Sequence, residues 1–173
     1  MLFRLIGSGL ILGAALWCGA YFAAKEKYRL RELEELERCI LLLQGQIAYL
    51  SAPLPEILEG IGRKTEGSIG AAFREAALRM QRREGSSAEG IWQEIWQEQA
   101  PHTFLSPEDL EAVLLFGKTL GYADQAQQEG GMRLFLRYLA ENREQGRKRL
   151  EKNGRLYYGV SGLSGLLLIV TLL

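Results

Sequence analysis

The sequence predicts an all-α protein: a cytoplasmic bundle of about six helices over residues 25–155, flanked by one transmembrane helix in 1–24 and another in 156–173. Three observations carry this. Every Lys, Arg, Asp and Glu except Arg4 falls within 25–155, although the mean hydropathy of the whole chain, −0.07, looks ordinary. Apolar residues in the charged middle recur at intervals of three and four, the period of a helix with one buried face. No alternating run is long enough for a strand.

Leu5 to Ala24 is 20 residues without a charge, and Leu156 to Leu173 is 18. At ~1.5 Å per residue a 20-residue helix matches the ~30 Å core of a bilayer, and 18 residues lies near the short limit. The competing reading of the first stretch is a cleaved signal, but its apolar run exceeds the ~7–15 residues usual there. For the second stretch it is a buried core helix, which the preceding basic cluster argues against. Lys25, Lys27, Arg29 and Arg31 follow the first span, and Arg147, Lys148, Arg149, Lys152 and Arg155 precede the second. Basic residues favour the cytoplasmic side, so both inner flanks and the domain between them are expected there. Gly9 and Gly13 in the first span, and Ser161 and Gly165 in the second, are small-x-x-x-small pairs that let membrane helices approach closely or self-associate.

The middle reads as successive helices. Leu30, Leu33, Leu36, Ile40, Leu43, Ile47 and Leu50 form the stripe of a first long helix, with Glu26, Glu32, Glu35 and Gln46 off it. Pro53 ends that helix, and Pro55 suits the first turn of the next, where Ile57, Leu58 and Ile61 face inward until Gly60 and Gly62 loosen the chain. Ser68 opens a third helix with Ile69, Phe73, Ala76, Ala77 and Met80. Ser86 and Glu89 have the spacing of a capping box for a fourth, bearing Ile91, Trp92, Ile95 and Trp96, and Pro101 ends it. Ser106-Pro107-Glu108-Asp109 is a helix start with an N-cap, a proline and first-turn acids. The fifth helix carries Leu110, Val113, Leu114, Phe116 and Leu120, and Gly121 is expected to close it in a left-handed conformation. Asp124 is expected to cap the last helix, which runs through Leu134, Phe135, Tyr138, Leu139 and Leu150 toward the second span. Gly130-Gly131 could kink or break it.

Chemistry is absent from the sequence. With 21 basic and 21 acidic residues there is no bulk charge to attract nucleic acid. One histidine and two cysteines provide neither a metal site nor a disulfide scaffold. Gly62 to Ser68 has two glycines at phosphate-loop distance but lacks the Lys-Ser/Thr pair, and it follows a helix. The pairs Glu34/Glu35 and Asp109/Glu111 read as solvated helix faces. Trp92 and Trp96, four apart, read as core, with a partner groove as the sharper alternative. No catalytic residue, cofactor, metal, nucleic acid or small-molecule substrate is expected.

Four stretches resemble the stage III sporulation protein AB family of spore-forming bacteria: MLFRLIGSGLIL, RELEELERCILLLQGQIAYLSAPLPEIL, FGKTLGYADQAQQ and GLSGLLLIVTLL. The third is the most specific, with Phe116, Gly117, Leu120, Gly121, Asp124 and Gln128 on the family-like pattern. PLPEIL, with Pro53 and Leu54, is a weaker match. The resemblance implies kinship with inner-membrane platform proteins of type II secretion and pilus machines. It implies a non-catalytic platform of the sporulation channel complex, in the mother-cell membrane facing the forespore, that docks a cytoplasmic ATPase. Interaction candidates are then Pro53, Leu54, Gly117, Gly121, Asp124 and Gln128, and the docking end is expected to be the membrane-distal one, with the turns at 51–54, 85–87 and 121–124. The alternative is a membrane adaptor that localises or regulates another protein.

The basic flanks generate a topology prediction. A cysteine introduced at Ser86, in a chain whose Cys18 and Cys39 are replaced, should resist a membrane-impermeant thiol reagent in intact cells and react once the cells are opened. Labelling in intact cells would reverse the orientation.

Overall fold

A computed structural model describes the backbone of residues 2–49, 52–82, 87–121 and 125–172, and the side chains of 13, 17, 21, 24–47, 52–82, 87–121 and 126–152. Among the described residues six α-helices follow one another: α1 (Leu2–Tyr49), α2 (Leu54–Arg63), α3 (Gly67–Gln81), α4 (Ala88–Gln99), α5 (Pro107–Leu120) and α6 (Gln125–Leu172), with a 3₁₀ turn at Ala100–His102 between α4 and α5. No strand occurs among the described residues. The chain divides into two compact units, one of Met1–Tyr28 with Glu144–Leu173, the other Arg29–Arg143.

In the first unit, the side chains of Gly13, Trp17, Tyr21 and Ala24 are described, and Trp17 and Tyr21 are exposed. Among the described residues no helix is long and apolar enough to cross a membrane. Most of 5–24 and all of 156–173, including Gly9, Ser161 and Gly165, lie outside the described side chains.

The second unit is built on the stripe of α1. Leu30, Leu33, Leu36, Ile40 and Leu43 are buried and Cys39 joins them, whereas Ile47 is half-buried and Leu50 is outside the described residues. Helix α3 packs on α2 and α4, and α4 on α5. The interior fills with Ile57, Leu58 and Ile61 from α2, Ile69, Phe73, Ala76 and Ala77 from α3, and Ile91, Trp92, Ile95 and Trp96 from α4. Both tryptophans are fully buried, so they belong to the core. Phe73 meets Trp92 edge-on with ring centroids 5.3 Å apart, and Trp92 meets Phe116 at 5.7 Å. Such pairs add about 0.5–1.5 kcal/mol to simple burial. The Trp92 indole N–H donates to the Val113 carbonyl at 2.9 Å, which fixes the ring between α4 and α5.

Helix boundaries depart from the sequence reading in three places. The glycines of α2 do not loosen it; it continues through Gly60 and Gly62 to Arg63, and Gly62 lies against the backbone of Arg74 on α3. Helix α4 is capped by Ser87, whose hydroxyl accepts from the Gly90 N–H at 3.0 Å, in place of the expected Ser86–Glu89 box; Ser86 lies outside the described residues. Gly121 closes α5 with φ −90° and ψ −5°, a right-handed conformation. Its N–H turns back to the Lys118 carbonyl at 3.2 Å, a 3₁₀-type ending that needs no left-handed residue. The described glycine with positive φ is Gly67, at the start of α3.

Helix α6 passes through Gly130-Gly131 without a break. The pair has a different use. A Cβ on Gly131 would collide with the Thr119 hydroxyl and come within 2.8 Å of its methyl group, whereas one on Gly130 would meet nothing within 4 Å. Gly131 therefore lets α6 lie close on α5. Gly117 does the same on the inner side of α5, where a Cβ would come within 2.6 Å of Trp92 Cδ1.

Glycine-to-alanine changes should separate these roles. Alanine is favoured over glycine inside a helix by about 0.8–1 kcal/mol, whereas overpacking a filled core costs about 1–3 kcal/mol. Gly130→Ala should raise the thermal midpoint of the protein, while Gly117→Ala should lower it, because a rigid indole cannot move aside. Thermal melts of the two variants beside the parent would check this; equal shifts would remove Gly117 as a packing glycine.

Candidate functional site

Helix α5 starts as its sequence says, and then does something its sequence does not announce. Ser106 Oγ accepts from the Asp109 N–H at 3.2 Å, and the Ser106 N–H donates to Asp109 Oδ2 at 2.9 Å, a reciprocal capping box. Yet Asp109 is only 1 % exposed, so it is no solvated first-turn acid. Arg29 of α1 reaches it with Nε at 2.5 Å from Oδ2 and Nη2 at 2.9 Å from Oδ1, and the Tyr138 hydroxyl of α6 donates to Oδ1 at 3.0 Å. Two acceptor oxygens thus take four hydrogen bonds, from two other helices and from the cap of α5. Burial alone would push the Asp109 carboxyl up, but the Arg29 guanidinium, the Ser106 N–H and the Tyr138 hydroxyl outweigh it and hold the group below the usual carboxylate range. Tyr138 is pushed the other way, first by burial and then by the Asp109 charge.

Arg29, which the sequence assigns to a basic flank, is thereby a buried structural residue. Glu32, one turn along α1, is also buried rather than solvated. Its carboxylate accepts from the Ser68 hydroxyl at 2.7 Å and from the Phe104 N–H at 2.6 Å. Burial raises its pKa, and these two hydrogen bonds only partly offset that. Further along, Glu37 of α1 pairs with Arg143 of α6 at 2.7 Å.

The Asp109 cluster positions a surface. From Tyr138 a row of rings runs outward: Tyr138 stacks near Phe135 at 6.4 Å, and Phe135 on Phe116 at 4.9 Å with planes 20° apart. With Gly131 seated on Thr119, these rings wall a groove of about 680 Å³ between α5 and α6. Leu115 and Leu134 line it and remain 55 % and 62 % exposed, the values expected of a contact surface left uncovered. Lys118, Arg137 and Glu141 supply its charges.

Among the described residues no group of His, Cys, Asp and Glu is placed to hold a metal ion. His102 is exposed in the 3₁₀ turn. Cys39 is buried 3.3 Å from the Thr65 hydroxyl, and burial pushes its thiol up, away from nucleophilic use. The 62–68 stretch links α2 to α3, a helix-to-helix turn rather than a phosphate loop.

The interaction candidates read from sequence are dispersed. Pro53 is exposed and caps α2, its carbonyl accepting from the Glu56 and Ile57 N–H groups, and Leu54 beside it is half-buried. Gly117 is interior, against Trp92. Gly121 is exposed at the end of α5, Asp124 lies outside the described residues, and Gln128 is half-buried on α6. Gly13 is exposed, and a Cβ there would meet nothing within 4 Å. The groove residues Leu115, Leu134 and Arg137 escaped the sequence reading. The sequence places Leu134 in the apolar stripe of α6, and only three-dimensional placement shows it exposed.

The model of the family described as stage III sporulation protein AB matches residues 4–173. A protein of Bacillus subtilis (strain 168), described as stage III sporulation protein AB, is 26 % identical over 171 residues, covering 98 % of this chain and 99 % of that protein. A solved structure of stage III sporulation protein AB superposes with a TM-score of 0.68 at 20 % identity, over 72 % of this chain and 97 % of the other, a likeness of fold.

The two buried acids should give opposite pH signatures. Because the folded-state pKa of Asp109 is depressed, its contribution is complete above the unfolded value of ~3.9 and is lost as pH falls through the folded value. Asp109→Asn should therefore destabilise the protein at pH 7 by about 3–5 kcal/mol, the cost of breaking a buried pair, with the difference from the parent shrinking below about pH 4. Glu32 has a raised pKa, so its charge opposes folding above that value; Glu32→Gln should be far milder and its effect should grow more unfavourable toward acid. Urea titrations from pH 3 to pH 7 would read both slopes; parallel curves for parent and Asp109→Asn would refute the ion-pair assignment.

Proposed function

The chain belongs to the stage III sporulation protein AB family, and on that premise we propose that it acts by binding, as a membrane-anchored helical platform of the sporulation channel complex. The observation that carries this is the open apolar groove between α5 and α6, in a domain that offers no catalytic group among its described residues. The charge-free stretches 5–24 and 156–173 are its anchors, with the described domain on the cytoplasmic side where the basic flanks belong. Exposed Tyr21, near the inner end of the first stretch, suits a lipid interface. Gly13, where a Cβ would meet nothing within 4 Å, leaves room for a helix of another chain.

On this reading the protein recruits the cytoplasmic ATPase of the complex and holds it at the mother-cell membrane. Binding, not turnover, is the task, and the exposed surface of the bundle carries it.

Tagged full-length protein isolated from sporulating cells should retain the ATPase, and isolation from membranes stripped of that ATPase should restore the association when purified ATPase is added back. Association should weaken with salt if charged rims guide it. Failure of the ATPase to co-purify, with normal sporulation of a deletion strain, would leave a membrane adaptor of some other protein.

A further inference from the structure

We infer that the α5–α6 groove is the seat of one amphipathic helix from a partner protein, apolar on the face it buries and acidic along the edges that meet Lys118 and Arg137. The inference rests on reading the chain as a binding protein, but not on the identity of the ATPase.

Four observations fix the occupant's chemistry. First, the walls are two α-helices whose backbone groups are already bonded within each helix. They present no free edge on which a strand could be added, so the occupant must be held by side chains. Second, the lining follows helical ridges. Ala112, Leu115, Phe116 and Thr119 lie at i, i+3, i+4 and i+7 on α5, and Leu134, Tyr138 and Glu141 at i, i+4 and i+7 on α6. A third helix laid along them interdigitates in the ordinary way. Third, the groove extends along α6 from Gln127 to Glu141. Fourteen residue steps at ~1.5 Å amount to roughly 21 Å, about four turns of an occupying helix.

The fourth observation is charge. Lys118 lies at the end near the α5–α6 turn and Arg137 further along α6, and neither has an ion-pair partner among the described residues. Glu141 sits toward the opposite end. Two unpaired cations beside exposed leucines call for carboxylates on the incoming helix, and the single anion marks the end at which a basic residue is tolerated. A lipid surface would be met by basic residues alone, and an anion at the rim opposes that use.

The test uses the full chain in phosphatidylcholine nanodiscs, with empty nanodiscs as the control for binding to lipid. The probe is a fluorescein-labelled synthetic helix of about 14 residues, with leucines at i, i+3, i+4, i+7 and i+11 and glutamates on both flanks. Its twin has lysine in place of each glutamate. Fluorescence anisotropy at low ionic strength should show the acidic probe binding about tenfold or more tightly than the basic twin. Lys118→Glu combined with Arg137→Glu should invert that preference, and Leu134→Asp should abolish binding of both probes. All three residues are exposed, so circular dichroism should show unchanged folding. Equal affinity of the two probes, or a preference that survives the charge reversal, would overturn the inference. So would binding to empty nanodiscs as tight as to the protein, or self-association of the full chain that Leu134→Asp removes while neither probe binds; the last would make a second copy the occupant. Loss of the ATPase from the pull-down would bear on the platform reading and not on this one.

Discussion

The carboxylate of Asp109 is where three helices are made to agree. Arg29 approaches it from α1, Tyr138 from α6, and the helix that carries it is started by its own exchange with Ser106. A buried charge is tolerable only when its partners are in place, and a carboxylate with every acceptor position used is among the few arrangements that meet the condition. The geometry of the surface follows. The hydroxyl of Tyr138 is held at Asp109, its ring stands next to Phe135, and Phe135 lies on Phe116. A polar contact deep in the domain thus sets the angle of an aromatic wall that faces out. The two glycines at this joint complete the arrangement from either side, Gly117 inward toward Trp92 and Gly131 across toward Thr119. Helix α5 is therefore clamped on both faces, and the groove inherits its width from contacts with no exposure of their own.

Much of this fold was legible in the sequence, and the reason is local. The stripe of α1, the Ser106-Pro107 start, the Trp92–Trp96 face and the Pro101 stop depend on neighbours within a few positions, where periodicity and capping chemistry speak directly. What escaped depends on residues far apart. Arg29 is one of several basic residues after an apolar stretch, and nothing near it tells that it is buried. Its partner stands 80 residues away. Asp109 is well explained by its helix position alone, and that sufficient local account hid the global one. Glu32 is similar: it lies off the apolar stripe, yet Ser68 and Phe104 come to it from two other segments.

The candidate site was legible only in outline. The motif around Gly117 falls at the joint of α5 with α4 and α6, and Gly117 itself is covered by Trp92. Gly121 shows how weak a single-residue rule is: glycine permits a left-handed ending without requiring one, and the Lys118 carbonyl supplied another. Leu115 and Leu134 could not be separated from core leucines by period alone. A helix packed on two sides carries a broad apolar arc, and its outer margin is visible only once the neighbours are placed.

The 80-residue separation of Arg29 and Asp109 also has a temporal meaning. Helices α2, α3 and α4 contact one another in sequence order and can assemble as they emerge, because the loops they close are short. The α1 stripe is met in stages, because Cys39 finds Thr65 and Glu32 finds Ser68 across only 26 and 36 residues. At roughly 5–20 residues per second of synthesis, Arg29 waits on the order of 4–16 seconds for Asp109, and Tyr138 comes later still. Throughout that interval the junction of α1 with α5 and α6 is unformed. The nascent domain is thus most vulnerable to mispairing before its fifth helix exists, and the last segments translated turn a loose set of helices into one cooperative structure.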